Sequence, residues 1–137
     1  MSAKQRVIFI CTHNSARSQM AEGLLRHLAG ERFETFSAGT VSTRVNPLAI
    51  KVMAERGIDI SHHTSDHIDK YMSMKFDYVI TVCDNAKEAC PYFPASGAQW
   101  HWSFEDPSAA IGTETERLQK FREVRDQIEQ RLRAAFL

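Results

Sequence analysis

The residues whose types and spacing point most directly to chemistry are Cys11 and Arg17, with five residues between them. A cysteine thiolate is a nucleophile, and the planar guanidinium of an arginine donates two parallel hydrogen bonds to the oxygens of a tetrahedral oxyanion. The pair therefore predicts a cysteine aimed at a bound, phosphate-like anion. The alternative is a cysteine that only fills the core, beside an arginine that is only solvated.

The pair lies between a predicted strand and a predicted helix. A buried strand is predicted over 6–10, and an amphipathic helix over 18–29 that ends near Gly30. A loop that closes on a helix N-terminus gathers main-chain N–H groups, and the helix dipole adds positive potential there. We expect this loop to bind an anion and to favour the thiolate of Cys11. The predicted oxyanion loop comprises Thr12, His13, Asn14, Ser15, Ala16, Arg17 and Ser18.

The rest of the chain alternates between strand and helix patterns. Further strands are predicted at 33–39 and 77–82, and further helices at 47–56, 67–73, 84–90 and 113–136, with a loop-rich region over 91–112. This alternation predicts one α/β domain, residues 1–137, built on an open parallel sheet with helices on both faces. Ligands of such sheets lie outside the carboxyl ends of the strands.

Two further cysteines follow the strand predicted at 77–82. Cys83 comes directly after that strand, so its sulfur meets that of Cys11 if the two strands are neighbours. Cys90 lies seven residues further on, about 10.5 Å along a helix, whereas a disulfide needs Cα atoms within roughly 7 Å. A bridge from Cys83 to Cys90 therefore requires the polar segment between them to unwind. The alternative is two unrelated thiols.

Asp106 precedes Pro107 in the loop-rich region and follows a stretch that contains two tryptophans. Proline fixes the backbone there, and aromatic neighbours are expected to raise the pKa of the carboxyl by desolvation, as a general acid needs. The alternative is an aspartate that caps a helix or a turn.

The composition excludes several classes of function. Acidic and basic residues balance at 17 each, so no overall field attracts nucleic acid or an anionic membrane. The first apolar run is too short for a signal peptide, and no stretch reaches transmembrane length. We expect a cytoplasmic protein without nucleic-acid or membrane partners, in which three cysteines serve catalysis or redox cycling rather than structural bridges.

These motifs resemble a known family. Residues 11–18 together with Asp106-Pro107 resemble the low-molecular-weight protein tyrosine phosphatase fold, and the pair Cys83 and Cys90 resembles the redox pair of its thioredoxin-coupled arsenate reductase branch. The resemblance implies a four-stranded parallel sheet and a monomer that reduces arsenate to arsenite, as in arsenical resistance. Phosphatases of this fold usually carry a proline where Gln19 stands and an aromatic residue where Ser108 stands, and both departures favour the reductase.

The resemblance also implies roles for individual residues. Cys11 attacks arsenic, Cys83 then attacks the Cys11 sulfur, and Cys90 moves the oxidation outward as a Cys83–Cys90 disulfide for thioredoxin to reduce. No tightly bound cofactor is implied other than a potassium ion. The residues that correspond to its ligands are Asn14, Glu22, Ser37 and Asp66. Oxygen ligands suit a hard cation, and the alternative is a set of hydrogen bonds that only stabilises the loop.

Two other functions compete with arsenate reduction. One is a phosphatase acting on phosphotyrosine or phosphoarginine, and the other is a non-enzymatic redox sensor that responds to oxyanions. Cys90 discriminates against the phosphatase, because hydrolysis of a phosphate ester needs no resolving thiol. Turnover with a reductant separates an enzyme from a sensor.

Overall fold

Strands and helices alternate along the chain as the patterns predict. The computed structural model describes residues 4–83 and 97–137. Its strands are β1 (Gln5–Cys11), β2 (Phe33–Gly39), β3 (Tyr78–Thr81) and β4 (Ala98–His101). Its α-helices are α1 (Arg17–Ala29), α2 (Pro47–Ala54) and α3 (Glu114–Phe136), and two short 3₁₀ helices span Ile68–Tyr71 and Pro107–Ala109.

The four strands form one parallel sheet in the order β2-β1-β3-β4. β1 lies inside the sheet, and its residues 7–10 have no exposed surface. This explains their uninterrupted apolar run, since a parallel strand is covered on both faces. The predicted open four-stranded parallel sheet is confirmed. Because β1 and β3 are neighbours, the residues that follow them meet at one edge.

The two faces of the sheet are covered by different elements. Successive side chains of a strand point to opposite faces, so Phe33 and Phe36 of β2 face opposite ways. Phe33 packs against Phe136 of α3, with ring centroids 5.0 Å apart. Phe36 packs against Tyr71 of the first 3₁₀ helix at 5.5 Å. Helical elements therefore lie on both faces.

The structure differs from the predicted elements in a few places. The helix predicted at 67–73 is a 3₁₀ helix, and α2 ends two residues earlier than predicted. β4 lies in the region predicted to be loop-rich, because an edge strand only partly buried on each side has no apolar run to reveal it. The helix predicted at 84–90 lies outside the described residues.

Within 4–83 and 97–137, no helix is both long enough and apolar enough to cross a membrane.

Candidate active site

The loop between β1 and α1 turns its carbonyl groups outward. Each main-chain oxygen from Cys11 to Ser15 accepts a hydrogen bond from a neighbouring segment. The donors are, in order, Thr40 N at 3.3 Å, Val41 N at 2.8 Å, Thr43 Oγ1 at 3.0 Å, Gln19 Nε2 at 3.0 Å and Asn46 N at 2.9 Å. In contrast, the N–H groups of residues 13–17 donate to no acceptor in 4–83 or 97–137. Free N–H groups at a helix N-terminus are suited to binding an anion.

Asn14 holds the loop in an unusual conformation. Its φ is +49°, in the left-handed region that asparagine tolerates better than most residues. The side chain is completely buried. Its Nδ2 donates to Ser18 Oγ and Ser37 Oγ, both at 2.9 Å, and its Oδ1 accepts from Asp66 N at 2.8 Å. These three bonds fix the middle of the loop to α1, β2 and the segment before the first 3₁₀ helix.

Gly39, the last residue of β2, allows the loop to lie against the sheet edge. A Cβ at this position would stand 2.6 Å from Thr12 O and 2.8 Å from Asn14 N. Any larger residue would therefore push the loop away. The sequence pattern predicts only that a strand ends at this glycine, because the loop that approaches it is more than twenty residues away in the chain.

Cys11 and Cys83 are brought together, as the adjacency of β1 and β3 predicts. Both are 4% exposed, and their thiols form a hydrogen bond with each other. Thr12 Oγ1 lies 3.2 Å from Cys83 Sγ. Cys90, the third predicted member of this set, lies outside the described residues.

The prediction that the loop favours the thiolate form of Cys11 is wrong for this structure. The hydrogen bond with Cys83 and the burial of the sulfur raise the pKa of Cys11 well above its ordinary value, and they outweigh the opposing effects of the Arg17 charge and the Thr12 N–H. The sequence shows the loop and the arginine, but it does not show that the nearest polar neighbour of the sulfur is a second thiol.

Arg17 and Asp106 lie beside each other across the site. Arg17 Nη1 donates to Phe104 O at 3.0 Å, and Nη2 lies 3.7 Å from Asp106 Oδ2. The other carboxylate oxygen of Asp106 accepts from Ser108 N at 3.0 Å and from Ser108 Oγ at 2.7 Å, which caps the second 3₁₀ helix. Asp106 therefore caps this helix, as in the alternative interpretation, and its role as a general acid stays a prediction.

The predicted aromatic enclosure of Asp106 is wrong. Its side chain is 42% exposed. Trp102 instead belongs to the core, where its ring packs against Phe9 and Phe136 with centroids 6.4 and 6.2 Å away. Alternation along the chain turns this tryptophan inward, and the loop after it carries Asp106 to the surface.

One small pocket nevertheless joins the predicted catalytic groups. It is lined by Cys11, His13, Ser15, Ala16, Arg17, Asp106 and Ser108. The Cys11 sulfur, the Arg17 guanidinium and the Asp106 carboxyl thus border the same space. Cys83 is absent from the described lining and contacts Cys11 from the side away from the pocket. The pocket therefore brings the predicted anion-binding groups, the loop and the Arg17 guanidinium, to the same space as the Cys11 sulfur.

The four residues that correspond to potassium ligands lie in one hydrogen-bond network. Ser37 Oγ donates to Glu22 Oε1 at 2.6 Å and accepts from Asn14 Nδ2, while Asp66 binds Asn14 through its N–H. Glu22 and Asp66 also line a common cavity of about 310 Å³. Their carboxylate oxygens fit a hard cation. The network equally contains the loop-stabilising bonds of the alternative interpretation.

The chain is similar to curated arsenate reductases over nearly its whole length. It is 47% identical over 131 residues to the arsenate reductase of Oceanobacillus iheyensis, a match that covers 96% of this chain and 94% of that protein. It is 45% identical over 127 residues to the arsenate reductase of Bacillus subtilis, covering 93% and 91% of the two chains.

Solved structures agree with this similarity. A structure of an arsenate reductase in the phosphate binding state has a TM-score of 0.81 and 37% identity, and one of an arsenate reductase in the oxidized state has 0.82 and 36%; both matches cover 95% of each chain. The model of the family named low molecular weight phosphotyrosine protein phosphatase matches residues 6–136. Because that match spans the sheet, the oxyanion loop and Asp106, the chain belongs to the low molecular weight phosphotyrosine protein phosphatase family.

Proposed function

We propose that this protein is an arsenate reductase. The observation that carries the proposal is the contact between the Cys11 and Cys83 thiols at the floor of an oxyanion pocket. Hydrolysis of a phosphate ester needs the pocket and one nucleophile, whereas reduction needs a second thiol within reach of the first. The names of relatives at 45% and 47% identity support the same function.

In the first step, arsenate lies in the pocket with its oxygens on the loop N–H groups and Arg17. Cys11 Sγ forms a bond to arsenic and an As–O bond breaks. The departing oxygen leaves as water after it takes the Cys11 proton and a second proton from Asp106, which borders the same pocket. Transfer of the Cys11 proton to the substrate is required because the thiol is the favoured form before arsenate binds.

In the second step, the Cys83 thiol gives its proton to an oxygen of the arsenic adduct, and the resulting Cys83 thiolate attacks Cys11 Sγ. The electron pair of the S–As bond goes to arsenic, which is reduced from arsenic(V) to arsenic(III) and leaves as arsenite, while a Cys11–Cys83 disulfide forms. The Thr12 hydroxyl, 3.2 Å from Cys83 Sγ, is placed to donate a hydrogen bond to the attacking thiolate.

In the last step, Cys90 attacks Cys83 and releases Cys11 as a thiolate. The Cys83–Cys90 disulfide then receives two electrons from the dithiol of thioredoxin. This cycle needs a reducing compartment, so we propose that the protein is cytoplasmic. We also propose that it acts as a monomer. We also propose that potassium binds to Asn14, Glu22, Ser37 and Asp66, where its charge would add to the positive potential around the oxyanion loop.

The decisive experiment measures NADPH oxidation by the purified protein with thioredoxin and thioredoxin reductase, with and without arsenate. We expect arsenate-dependent oxidation and an equal quantity of arsenite. Hydrolysis of p-nitrophenyl phosphate without arsenite production would favour the phosphatase. A single stoichiometric oxidation without turnover would favour the sensor. Either result would overturn the proposal.

A further inference from the structure

The residues that line the oxyanion pocket differ in how far they are exposed. Cys11 and Ala16 are buried and form its floor. Two residues of the described lining, His13 and Ser108, are exposed and therefore stand at its mouth. Of these two, His13 has much the larger side chain, so the imidazole is the group that a molecule entering the pocket has to pass.

The pocket itself is small. Its volume is about 20 Å³, compared with about 310 Å³ for the cavity that Glu22 and Asp66 line. A single water needs about 10–15 Å³ of such space. The pocket therefore encloses little more than the oxygens that face the loop, and any larger group attached to an oxyanion has to extend out through the mouth.

The main chain of His13 is held in place by two hydroxyl groups. Its carbonyl accepts hydrogen bonds from Thr43 Oγ1 and Ser65 Oγ, both at 3.0 Å. Ser65 Oγ also accepts from Thr43 N at 2.9 Å, so the two donors hold each other. The next residue, Asn14, is completely buried. The direction in which the His13 side chain leaves the main chain is thus fixed on both sides.

An inorganic oxyanion and a phosphate ester differ at the mouth of the pocket. In an in-line displacement the leaving oxygen lies opposite the attacking atom. Because Cys11 belongs to the floor, the leaving oxygen of a substrate faces the mouth. In arsenate this oxygen carries at most a hydrogen and departs as water, whereas in an ester it carries a carbon group that has to extend past His13.

We propose that His13 is a specificity-determining residue, whose imidazole narrows the mouth so that the pocket accepts inorganic oxyanions and disfavours phosphate esters with a large substituent. The inference deepens the proposed function and rests on it in one respect, which is that a tetrahedral oxyanion binds to the loop. It concerns entry to the pocket, so it does not depend on the second thiol or on the reductant.

The test compares two ligands, inorganic phosphate and phenylphosphonate, which carries a phenyl ring in place of one oxygen and cannot be hydrolysed. Calorimetry at a single pH, at which both ligands are dianions, gives the two dissociation constants. In wild type we expect phenylphosphonate to bind at least roughly tenfold more weakly than phosphate. In His13→Ala the ring has room to leave the mouth, so we expect the ratio of the two dissociation constants to fall roughly tenfold.

Three further variants separate bulk from other effects. His13→Leu keeps a bulky side chain without an imidazole, and its ratio should stay close to that of wild type. Thr43→Val removes one of the two hydroxyls that hold the His13 carbonyl, and its ratio should lie between those of wild type and His13→Ala. His27→Ala removes an exposed imidazole of α1 outside the described pocket lining and should leave the ratio unchanged. Thermal unfolding checks that each variant is folded.

The same selectivity should appear in turnover. The ratio of kcat/KM for p-nitrophenyl phosphate to kcat/KM for arsenate should rise roughly tenfold in His13→Ala and should not rise in His13→Leu. This measurement uses a different substrate pair from the binding experiment, so the two readouts check each other.

Two results would overturn this inference alone. One is a ratio of dissociation constants in His13→Ala equal to that of wild type, and the other is a ratio in His13→Leu that falls as far as in His13→Ala. Absence of phosphate binding to wild type would overturn both this inference and the oxyanion pocket of the proposed function. Arsenate reduction itself is decided separately, by the thioredoxin-coupled assay of wild type.

Discussion

Two neighbours shift the pKa of Cys11 in opposite directions. The Cys83 thiol and burial raise its pKa, and Arg17 lowers it. In the absence of substrate the thiol is therefore protected from unselective oxidation, which acts on thiolates. Arsenate changes this balance by bringing its own base into the pocket.

Replacing Cys83 by alanine should make Cys11 more acidic. The hydrogen bond with Cys83 is the largest cause of the raised pKa, so its removal should shift thiolate formation to lower pH. The rate of alkylation of Cys11 by iodoacetamide as a function of pH reports this shift. It is read on the Cys11 peptide by mass spectrometry, because a Cys90→Ser background still contains Cys83 in the reference protein. Cys83→Ser, which keeps a hydroxyl at the same place, should shift the curve less. An unchanged midpoint in Cys83→Ala would contradict this account of Cys11.

Asp106→Asn separates the two roles of this residue. Asparagine also caps helices, so the bonds from Ser108 should persist while the proton donor is lost. We expect formation of the Cys11–arsenate adduct to slow by at least about a hundredfold, with little change in thermal stability. Rapid-quench single turnovers measure the adduct step. An effect confined to the later thiol exchange would show that Asp106 is not the acid.

At the scale of elements, the site depends on how closely the loop after β1 approaches the end of β2. Gly39→Ala should displace the loop, because the added Cβ would meet two main-chain atoms at 2.6 and 2.8 Å. We expect loss of sulfate binding and a decrease of about 1–3 kcal/mol in the free energy of unfolding. Urea unfolding and calorimetry measure the two effects.

Gly57→Ala is the matched control for that change. Gly57 has a φ of +72° and open space around it, so alanine adds backbone strain without a clash. It should cost about 1 kcal/mol of stability and leave sulfate binding unchanged. Equal losses of sulfate binding in the two variants would mean that general destabilisation, rather than loop displacement, is responsible.

At the scale of the whole molecule, the proposed relay carries oxidation from the floor of the pocket to the surface. Cys11 and Cys83 are both buried, so a disulfide between them is poorly accessible to an external protein. Cys90→Ser should therefore complete about one turnover and accumulate a Cys11–Cys83 disulfide, whereas Cys83→Ser should release no arsenite. Peptide mapping after a single arsenate addition identifies the bridge. Steady turnover by Cys90→Ser with thioredoxin would show that the relay is misordered.

Some features of this structure depend only on local sequence. A few residues of sequence are enough to show the apolar run at 7–10, the start of α1 near Arg17 and the capping of α3 by Thr113. The sequence pattern does not predict β4, because its four residues become a strand only through pairing with β3. The exposure of Asp106 is missed for a different reason, because Trp102 turns into the core and does not cover the carboxyl.

The sequence by itself determined the strand, the loop, the helix and the spacing of Cys11 and Arg17, and with them the chemistry of an oxyanion pocket. Only the tertiary structure decided that Cys83 is hydrogen-bonded to Cys11, that Gly39 must lack a side chain, and that the Gln19 side chain lies within hydrogen-bond range of His63. The physical reason is distance along the chain. Each of these contacts joins segments that are separated by more than twenty residues, and only the parallel sheet and the helices packed on it bring them within hydrogen-bond range.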